Sequence, residues 1–498
     1  MQRPTSDFAA QMLEQQADAL RAAGRPAEAM KSLDAAIASS PGNAVLHCKR
    51  GLCLLSLRRF AEALADFERG ISLQPALAPA HMDRATALQE LGRLEESLAS
   101  YDRAIALAPR LADAHCNRGT VLHRLHRMEE SIASYNTALR LAPGLDAAAF
   151  NRCTALADLG RNEEALEGFA RTLRRHPDLA VAHWNEAISL LRLARFEEGW
   201  RKFEWRFRYA ELGIRERHYP QPRWRGETPL AGRTILLYAE QGMGDAIQFC
   251  RFVPVLAAQG ARVILEAPVP LFDLFTTLEG VAALVRKGDP IPAFDCHSSL
   301  LSLPLAVGTR LESIPARVPY LRVDPLRRQA WTKRLGSADP ARLRIGLAWS
   351  GNAQHSNDYN RSLPLRLLEP LAALALDLVS LQKDVRDSDR EALQSLGVRD
   401  FGAELAGFAD TAALASLVDL VVSVDTSAAH LAGALAIPAW VLVPFAPDWR
   451  WLLGREDSPW YPQARIFRQE APGDWEGVVH RVVRALQVSS APAPSASP

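Results

Sequence analysis

A 34-residue spacing in the N-terminal part of the chain constrains the fold more than any other feature. Five similar segments each end in a proline that lies 34 residues after the one before: Pro41, Pro75, Pro109, Pro143 and Pro177. A large residue recurs with the same spacing, at Leu33, Phe67, Tyr101, Tyr135 and Phe169. A period of this length is typical of stacked units that cannot bury their apolar faces alone. The spacing therefore predicts two helices per unit.

Small residues complete this pattern, because Gly51, Ala85 and Gly119 would let paired helices approach closely. The pattern resembles the tetratricopeptide repeat (TPR) over about Ala10 to Pro177, with residues 179–207 as a sixth, altered unit. The resemblance implies an all-α superhelix over residues 1–212 whose groove takes a protein or peptide. The residues leave open that the repeats serve only spacing or self-association.

Composition excludes several other classes of protein. The 58 basic and 57 acidic residues nearly balance, which disfavours nucleic acid as a partner. The six cysteines are scattered and are expected to be reduced and buried. The polar N-terminus and the lack of long apolar runs predict a cytoplasmic protein without a transmembrane segment. Residues 488–498 are rich in proline, alanine and serine, which predicts a disordered tail.

The helical period stops after a linker at residues 213–233. Short apolar runs then alternate with helical stretches, which is typical of parallel sheets with crossover helices. We expect one α/β domain over residues 234–325 and a second over residues 343–487. Two such Rossmann-like domains in tandem would place the carboxyl ends of their strands across a cleft, where ligands of open α/β folds bind.

The stretch "DLVVSVDTSAAHLAGAL" predicts a ligand site in the second domain. Asp425 falls at the end of a buried strand, and Thr426 and Ser427 begin a helix whose first turn would hold an anion such as a diphosphate. His430 lies one turn further on. The alternative is that Asp425 or Thr426 only caps this helix and that His430 is an ordinary buried histidine.

The matching turn of the first domain is "AEQGMGDAIQF". Gly242 and Gly244 would allow close backbone approach, and Asp245 stands at the helix start with its carboxylate toward the cleft. A structural cap is the alternative for Asp245. The dinucleotide-binding fingerprint is only partly met, since Ile247 replaces its third glycine, although Glu266 ends the next strand as an NAD-binding acid would.

Both turns support a second resemblance. "GMGDAIQFCRFVP" is similar to the Gly-Asp turn of the ADP-heptose:lipopolysaccharide heptosyltransferases, glycosyltransferase family 9, and "VSVDTSAAHLAGAL" resembles their nucleotide-binding segment. The resemblance spans about Thr234 to Leu486 and implies a GT-B fold. Gln248, Ser427 and Ala429 depart from the family's histidine, glycine and serine. TPR units ahead of a two-domain transferase also resemble the protein O-linked N-acetylglucosamine transferases in layout.

The reaction that the resemblance implies, sugar transfer from a nucleotide-sugar, needs a base for the acceptor hydroxyl and groups that hold the diphosphate and the nucleotide. Asp245 would be the general base for an acceptor hydroxyl, with inversion at the anomeric carbon. Arg361, matched to a basic residue of the family, would clamp the diphosphate, with a solvated loop arginine as the alternative. Gln382 and Lys383 end a neighbouring strand in "LVSLQKD" and would meet the base or ribose, with an ordinary charged loop start as the alternative. We expect neither a metal nor a further cofactor, because no Asp-x-Asp motif follows a strand.

The sequence thus predicts a glycosyltransferase with a TPR arm that recruits its acceptor. Two other classes stay open: a non-catalytic nucleotide-binding TPR scaffold and an NAD-binding protein. The tryptophan-rich segment from Phe445 to Pro462 is predicted to close the end of the second sheet, with sugar stacking as its alternative.

Overall fold

The computed structural model describes residues 6–355 and 357–489. The chain forms two compact units, Met1–Pro177 and Asp178–Pro498. The last helix runs to Ser489, so residues 488 and 489 of the predicted tail are helical, and the rest of that segment, residues 490–498, lies outside the described residues.

Consecutive helix pairs form the described part of the first unit, as the 34-residue period predicts. The helices are α1 (Ser6–Ala22), α2 (Pro26–Ser39), α3 (Ala44–Ser56), α4 (Phe60–Leu73), α5 (Ala78–Glu90), α6 (Leu94–Leu107), α7 (Ala112–Arg124), α8 (Met128–Leu141), α9 (Asp146–Asp158) and α10 (Asn162–Arg175).

Close packing explains why small and large residues recur with this period. A Cβ atom added at Gly51 would lie 2.7 Å from the ring of Phe67, and one added at Gly119 would lie 2.7 Å from the ring of Tyr135. Both rings are at most 1% exposed. The glycine of the first helix in a pair therefore makes room for the aromatic side chain of the second.

Arginines with the same spacing connect neighbouring pairs. Each lies on the first helix of a pair and bonds to side chains 16 residues before and 16 residues after it. The bonds join Arg50 to Asp34 and Asp66, Arg84 to Glu68 and Ser100, and Arg118 to Asp102 and Ser134. The sequence period thus sets a polar ladder as well as an apolar core.

The sixth helix pair, α11 (Ala180–Arg192) and α12 (Phe196–Phe203), belongs to the second compact unit. Its Phe196, Trp200 and Phe203 share one apolar core with the strands of the first sheet. Trp200 also lies edge-on to Trp449, with ring centroids 5.1 Å apart. Large aromatic side chains at the end of the repeat pattern therefore bury against the α/β part of the chain rather than facing solvent.

Two wholly parallel sheets form the centre of the second unit. The first has the order β3-β2-β1-β4 and the second the order β6-β5-β7-β8-β9. The strands are β1 (Thr234–Tyr238), β2 (Arg262–Ala267), β3 (Val281–Arg286), β4 (Cys296–Ser299), β5 (Leu343–Ala348), β6 (Leu376–Ser380), β7 (Leu420–Val424), β8 (Ala439–Val443) and β9 (Ala464–Arg468).

Helices cross between these strands, which confirms the predicted α/β organisation. They are α13 (Met243–Phe249), α14 (Phe252–Ala258), α15 (Phe272–Phe275), α16 (Leu303–Ala306), α17 (Pro325–Leu335), α18 (Asp358–Arg361), α19 (Arg390–Ser395), α20 (Phe408–Ala415), α21 (Ser427–Ala434) and α22 (Trp475–Ser489). In each sheet the strand order reverses beside the first strand, and ligands of open α/β sheets bind at such a point.

Candidate functional site

The starts of helices α13 and α21 meet at the carboxyl ends of β1 and β7. Gly244 lies in the first turn of α13, and a Cβ atom added there would lie 2.8 Å from Cδ2 of His430 and 3.5 Å from Cα of Ser427. Glycine is required here because the two helices leave no room for a side chain. The two segments that the sequence singles out therefore lie together, although at Gly244 they touch rather than enclose a cleft.

Asp245 follows directly and is held by two donors. One carboxylate oxygen accepts a hydrogen bond from the backbone N–H of Gly242 at 2.9 Å, and the other accepts one from the guanidinium of Arg450. The side chain is 18% exposed. Burial raises the pKa of Asp245 above its ordinary value, while the charge of Arg450 opposes this shift. The capping role is thus present, and part of the carboxylate still faces solvent.

Asp425 and His430 lie on the other side of this contact. Oδ1 of Asp425 is 3.9 Å from Nε2 of His430, and Nδ1 of His430 is 2.9 Å from the hydroxyl of Tyr461. Burial and the neighbouring Asp448 raise the pKa of Asp425 to about 6. Burial and the charge of Arg450 lower the pKa of His430 to about 3. At neutral pH the histidine is therefore neutral beside an ionised carboxylate.

The first turn of α21 is partly satisfied by its own cap. The hydroxyl of Thr426 accepts a hydrogen bond from the backbone N–H of Ala428 at 3.3 Å and lies 3.1 Å from the hydroxyl of Ser423. Thr426 is the N-cap residue, which is the structural role that the sequence left open. Ser427 is the first helical residue, so its N–H lies where an intrahelical partner is missing.

Arg361 reaches the same region from the last position of α18, the short helix that follows β5. Its guanidinium lies beside Gly351, where an added Cβ atom would be 2.8 Å from Nη2. Its charge acts on Asp425, His430 and His355. Within residues 6–355 and 357–489, the buried Nε of Arg361 has no hydrogen-bond partner. A cation next to the start of α21 suits the predicted role in holding an anion.

Gln382 and Lys383 have partners elsewhere. The side-chain oxygen of Gln382 accepts from the backbone N–H groups of Trp349 at 2.7 Å and Ser350 at 2.8 Å, and its nitrogen also donates to Ser350. Lys383 donates to the carbonyl of Leu405 at 3.0 Å. A nucleotide contact by the buried Gln382 would replace one of these bonds, whereas Lys383 has further N–H groups to donate. The role of both residues stays a prediction.

Glu266, the residue that favoured NAD, is 5% exposed and pairs with Arg217 at 2.6 Å. The guanidinium of Arg217 also lies 4.3 Å from the ring centroid of Tyr238. The linker therefore covers this carboxylate, and a ribose would have to displace Arg217 to reach it.

Sequence reasoning missed Arg450 as a site residue, because it treated the tryptophan-rich segment as structural. The tryptophans of that segment are structural, since Trp449, Trp451 and Trp460 are each at most 1% exposed and not free to stack on a sugar. Arg450 lies among them and bonds to Asp245 across 205 positions of sequence. The only signal was a charged residue between large apolar ones, which is common near any sheet edge.

Replacing His430 by glutamine is expected to change how stability depends on pH. The imidazole binds a proton below its ordinary pKa of 6.5 when the chain is unfolded, whereas in the folded protein its pKa is about 3. Its contribution to stability is therefore complete above pH 6.5 and is lost as pH falls. Between pH 7 and pH 5 this loss is about 2 kcal/mol, and we expect it to be absent from His430→Gln.

The measurement is urea unfolding of both proteins at the two pH values. All 11 tryptophans lie after residue 177, so their fluorescence follows the second unit. The pKa of Asp425 is raised, so its contribution to the free energy of unfolding increases as pH falls, opposite to that of His430. Comparing wild type with His430→Gln cancels this contribution, because both proteins contain Asp425. The exposed His480→Gln is the control, and an equal pH dependence in His430→Gln and wild type would contradict the assignment.

The described residues contain neither a clustered metal site nor a membrane-spanning helix. No group of three or more histidine, cysteine, aspartate or glutamate side chains in residues 6–355 and 357–489 is placed to bind a metal ion. Over the same residues, none of the helices has the length and apolar character needed to cross a bilayer.

Comparison with known proteins identifies the repeats of the first unit. Residues 14–78 and 112–144 match tetratricopeptide repeat models, and residues 87–125 match a TPR repeat model. These matches confirm TPR repeats over residues 14–78 and 87–144 of the predicted array.

One curated relative extends the similarity beyond these segments. Protein FlbA of Caulobacter vibrioides (strain ATCC 19089 / CIP 103742 / CB 15) is 31% identical over 316 residues, which cover 58% of this chain and 52% of FlbA. The chain thus spans about half the length of FlbA.

Solved structures show partial similarity. A tetratricopeptide repeat protein from Parabacteroides merdae ATCC 43184 is 18% identical with a TM-score of 0.36, covering 40% of this chain and 80% of that one. TTC0263, a thermophilic TPR protein in Thermus thermophilus, is 24% identical with a TM-score of 0.32, covering 37% of this chain and 100% of its own.

Proposed function

We propose that the chain is a glycosyltransferase that moves a sugar from a nucleotide-sugar to an acceptor hydroxyl, with inversion and without a divalent ion. One observation carries the proposal: the polar helix starts of two parallel sheets meet, and Arg450 joins Asp245 of one to the charged cluster of the other. A reaction between two substrates needs one group for each, and we assign one to each sheet.

The donor would bind on the side of the second sheet. The diphosphate lies against the start of α21 at Ser427 and is neutralised by Arg361, whose buried Nε has no partner among the described residues. An oriented guanidinium and helix N–H groups stabilise the charge that develops on a leaving diphosphate. These groups take the role that a divalent ion has in other transferases.

The acceptor would bind on the side of the first sheet. Asp245 accepts the proton of the acceptor hydroxyl while the oxygen forms a bond to the anomeric carbon, and the bond from that carbon to the diphosphate breaks. The raised pKa of Asp245 makes its carboxylate a stronger base than an exposed aspartate. Attack opposite the leaving group inverts the anomeric centre.

The TPR array would bring the acceptor. Stacked helix pairs present extended surfaces that bind proteins and peptides, and we propose a protein or peptide as the partner of the first unit. The two halves of the chain then have separate tasks, recruitment and transfer.

A non-catalytic nucleotide-binding scaffold is the second candidate. The observation that favours it is the engagement of Asp245 in both a helix cap and an ion pair. In that case the site binds a nucleotide-sugar but leaves it intact.

The test is a thermal-shift and transfer screen of the full chain against UDP-, GDP- and ADP-sugars. A ligand at 100 times its Kd stabilises the protein by about 2.7 kcal/mol, so the correct donor raises the Tm and the matching nucleoside does not. Donor consumption in EDTA supports the transferase, and a shift without consumption supports the scaffold. No shift with any nucleotide-sugar overturns both.

A further inference from the structure

Arg450 lies in the short helical turn after β8 and is almost fully buried. Its side chain is 9% exposed, and its guanidinium carbon lies 4.2 Å from the ring centroid of Trp449. A buried arginine stays charged and needs partners for its N–H groups. The partners therefore indicate what the residue is for.

Each of its three nitrogens donates to a different side chain. Nε donates to the side-chain oxygen of Gln248 at 2.6 Å, Nη1 donates to Asp448 at 2.8 Å, and Nη2 donates to Asp245. Gln248 and Asp245 lie on α13, whereas Asp448 lies on the same turn as Arg450. A planar guanidinium held at three corners by two segments has one orientation.

The consequence for Asp245 is a fixed carboxylate. The bond from Arg450 engages one oxygen, and the backbone N–H of Gly242 engages the other at 2.9 Å. A carboxylate oxygen has room for more than one hydrogen bond, so either oxygen can still accept a substrate hydroxyl.

We infer that Arg450 is a positioning residue that holds the carboxylate of Asp245 in one orientation. The inference rests on the proposed function, in which Asp245 is the base. Arg450 touches neither substrate in this role. It acts through Asp245, and Gln248 and Asp448 hold Arg450 in place.

The charges around Asp245 determine whether the loss of Arg450 raises or lowers the pKa of Asp245. Arg450 lowers the pKa of Asp245, the like charge of Asp448 raises it, and His355 in the loop after β5 lowers it. The other charged or titratable groups of the cluster are Asp425, His430, Arg361, Arg251 and Arg192. Without Arg450, Asp245 and Asp448 lose the cation that donates to both of them, so Asp245 would take up its proton at higher pH.

The experiment compares pH profiles of kcat/KM for donor transfer by the full chain. In Arg450→Gln we expect the acid limb to move up by about one pH unit or more, and kcat on the plateau to fall about tenfold. Arg450→Lys keeps the charge but not the fork, so its acid limb stays near wild type while kcat still falls. Asp448→Asn removes the like charge and moves the acid limb down.

Arg251→Gln is the matched control. Arg251 is 2% exposed and also connects α13 to the segment before β9, but it donates to carbonyls of Gln248 and Trp460 and to the hydroxyl of Tyr320. Its loss is expected to lower the Tm without moving the acid limb. If the acid limb moves as far in Arg251→Gln as in Arg450→Gln, the shift results from a general loss of packing around α13 and not from the lost bond between Arg450 and Asp245.

The outcomes separate this inference from the proposed function. If wild type transfers sugar and Asp245→Asn does not, an unmoved acid limb in both Arg450→Gln and Asp448→Asn overturns the inference alone. If wild type consumes no donor, or Asp245→Asn is fully active, the proposed function fails and the inference with it. If Arg450→Gln does not fold, the other two variants still test the inference. The acid limb of Arg450→Lys is expected near that of wild type, and that of Asp448→Asn at lower pH.

Discussion

Asp245→Asn is expected to lower kcat by a factor of about a hundred or more, because loss of a general base typically costs this much. Asparagine keeps the size of the side chain but cannot take the proton of the acceptor hydroxyl. The change in donor affinity is expected to be small, since Asp245 lies on α13 and the donor is assigned to α21. Initial rates at saturating donor give kcat, and donor titration monitored by Tm gives the affinity.

The control for this variant is Asp457→Asn. Asp457 is 69% exposed and pairs with Arg455 on the surface, so its loss leaves turnover unchanged. If the turnover of Asp245→Asn equals that of wild type, Asp245 is not the general base. A large loss of donor affinity would instead place Asp245 on the donor side of the site.

Of the substitutions proposed here, Arg206→Met is expected to lower the free energy of unfolding the most. Arg206 is fully buried and donates to Glu240 at 2.7 Å, Glu204 at 2.6 Å and Ser302 at 2.7 Å. Removing one partner of a buried ion pair leaves an uncompensated charge, which costs about 3 to 5 kcal/mol. Glu240 lies two residues after the end of β1, so the loss of stability is expected in the second unit.

Urea unfolding followed by tryptophan fluorescence measures this loss, since every tryptophan lies in the second unit. The surface control is Arg201→Met, whose pair with Glu197 is more than half exposed and is worth about 1 kcal/mol or less. The double variant Arg206→Met/Glu240→Gln removes a charge of each sign and is expected to recover part of the stability. A loss below that of the surface control contradicts the role of this ion pair.

Local patterns predicted the helix pairs and the strands that lie in continuous apolar runs. The 34-residue period identified the helices of the first unit, and the apolar run ending at Val424 was expected to form a central strand, as it does between β5 and β8. Two strands were missed, Cys296–Ser299 and Ala464–Arg468. The first has no apolar run, although all four of its residues are buried. It is an edge strand beside β1, and the linker covers that edge, since the N–H of Trp224 donates to the carbonyl of His297 and the N–H of His297 donates to that of Pro222.

The candidate site was predicted less completely than the fold. Gly244, Asp245, Asp425 and His430 were chosen from their places at the ends of strands, and the structure brings the two segments that carry them together. Gln382 was chosen on the same ground, but its side chain bonds to the backbone of Trp349 and Ser350. The position of a residue at a strand end therefore does not predict which groups its side chain will bond to.

The sequence by itself determined which segments become helices and strands and where polar residues follow them, because burial of one face imposes a period that each segment carries locally. Only the tertiary structure decided that Trp200 packs against Trp449 and that Arg450 bonds to Asp245. Contacts between residues so far apart in the chain depend on how whole sheets and helices pack, and no local period records that packing.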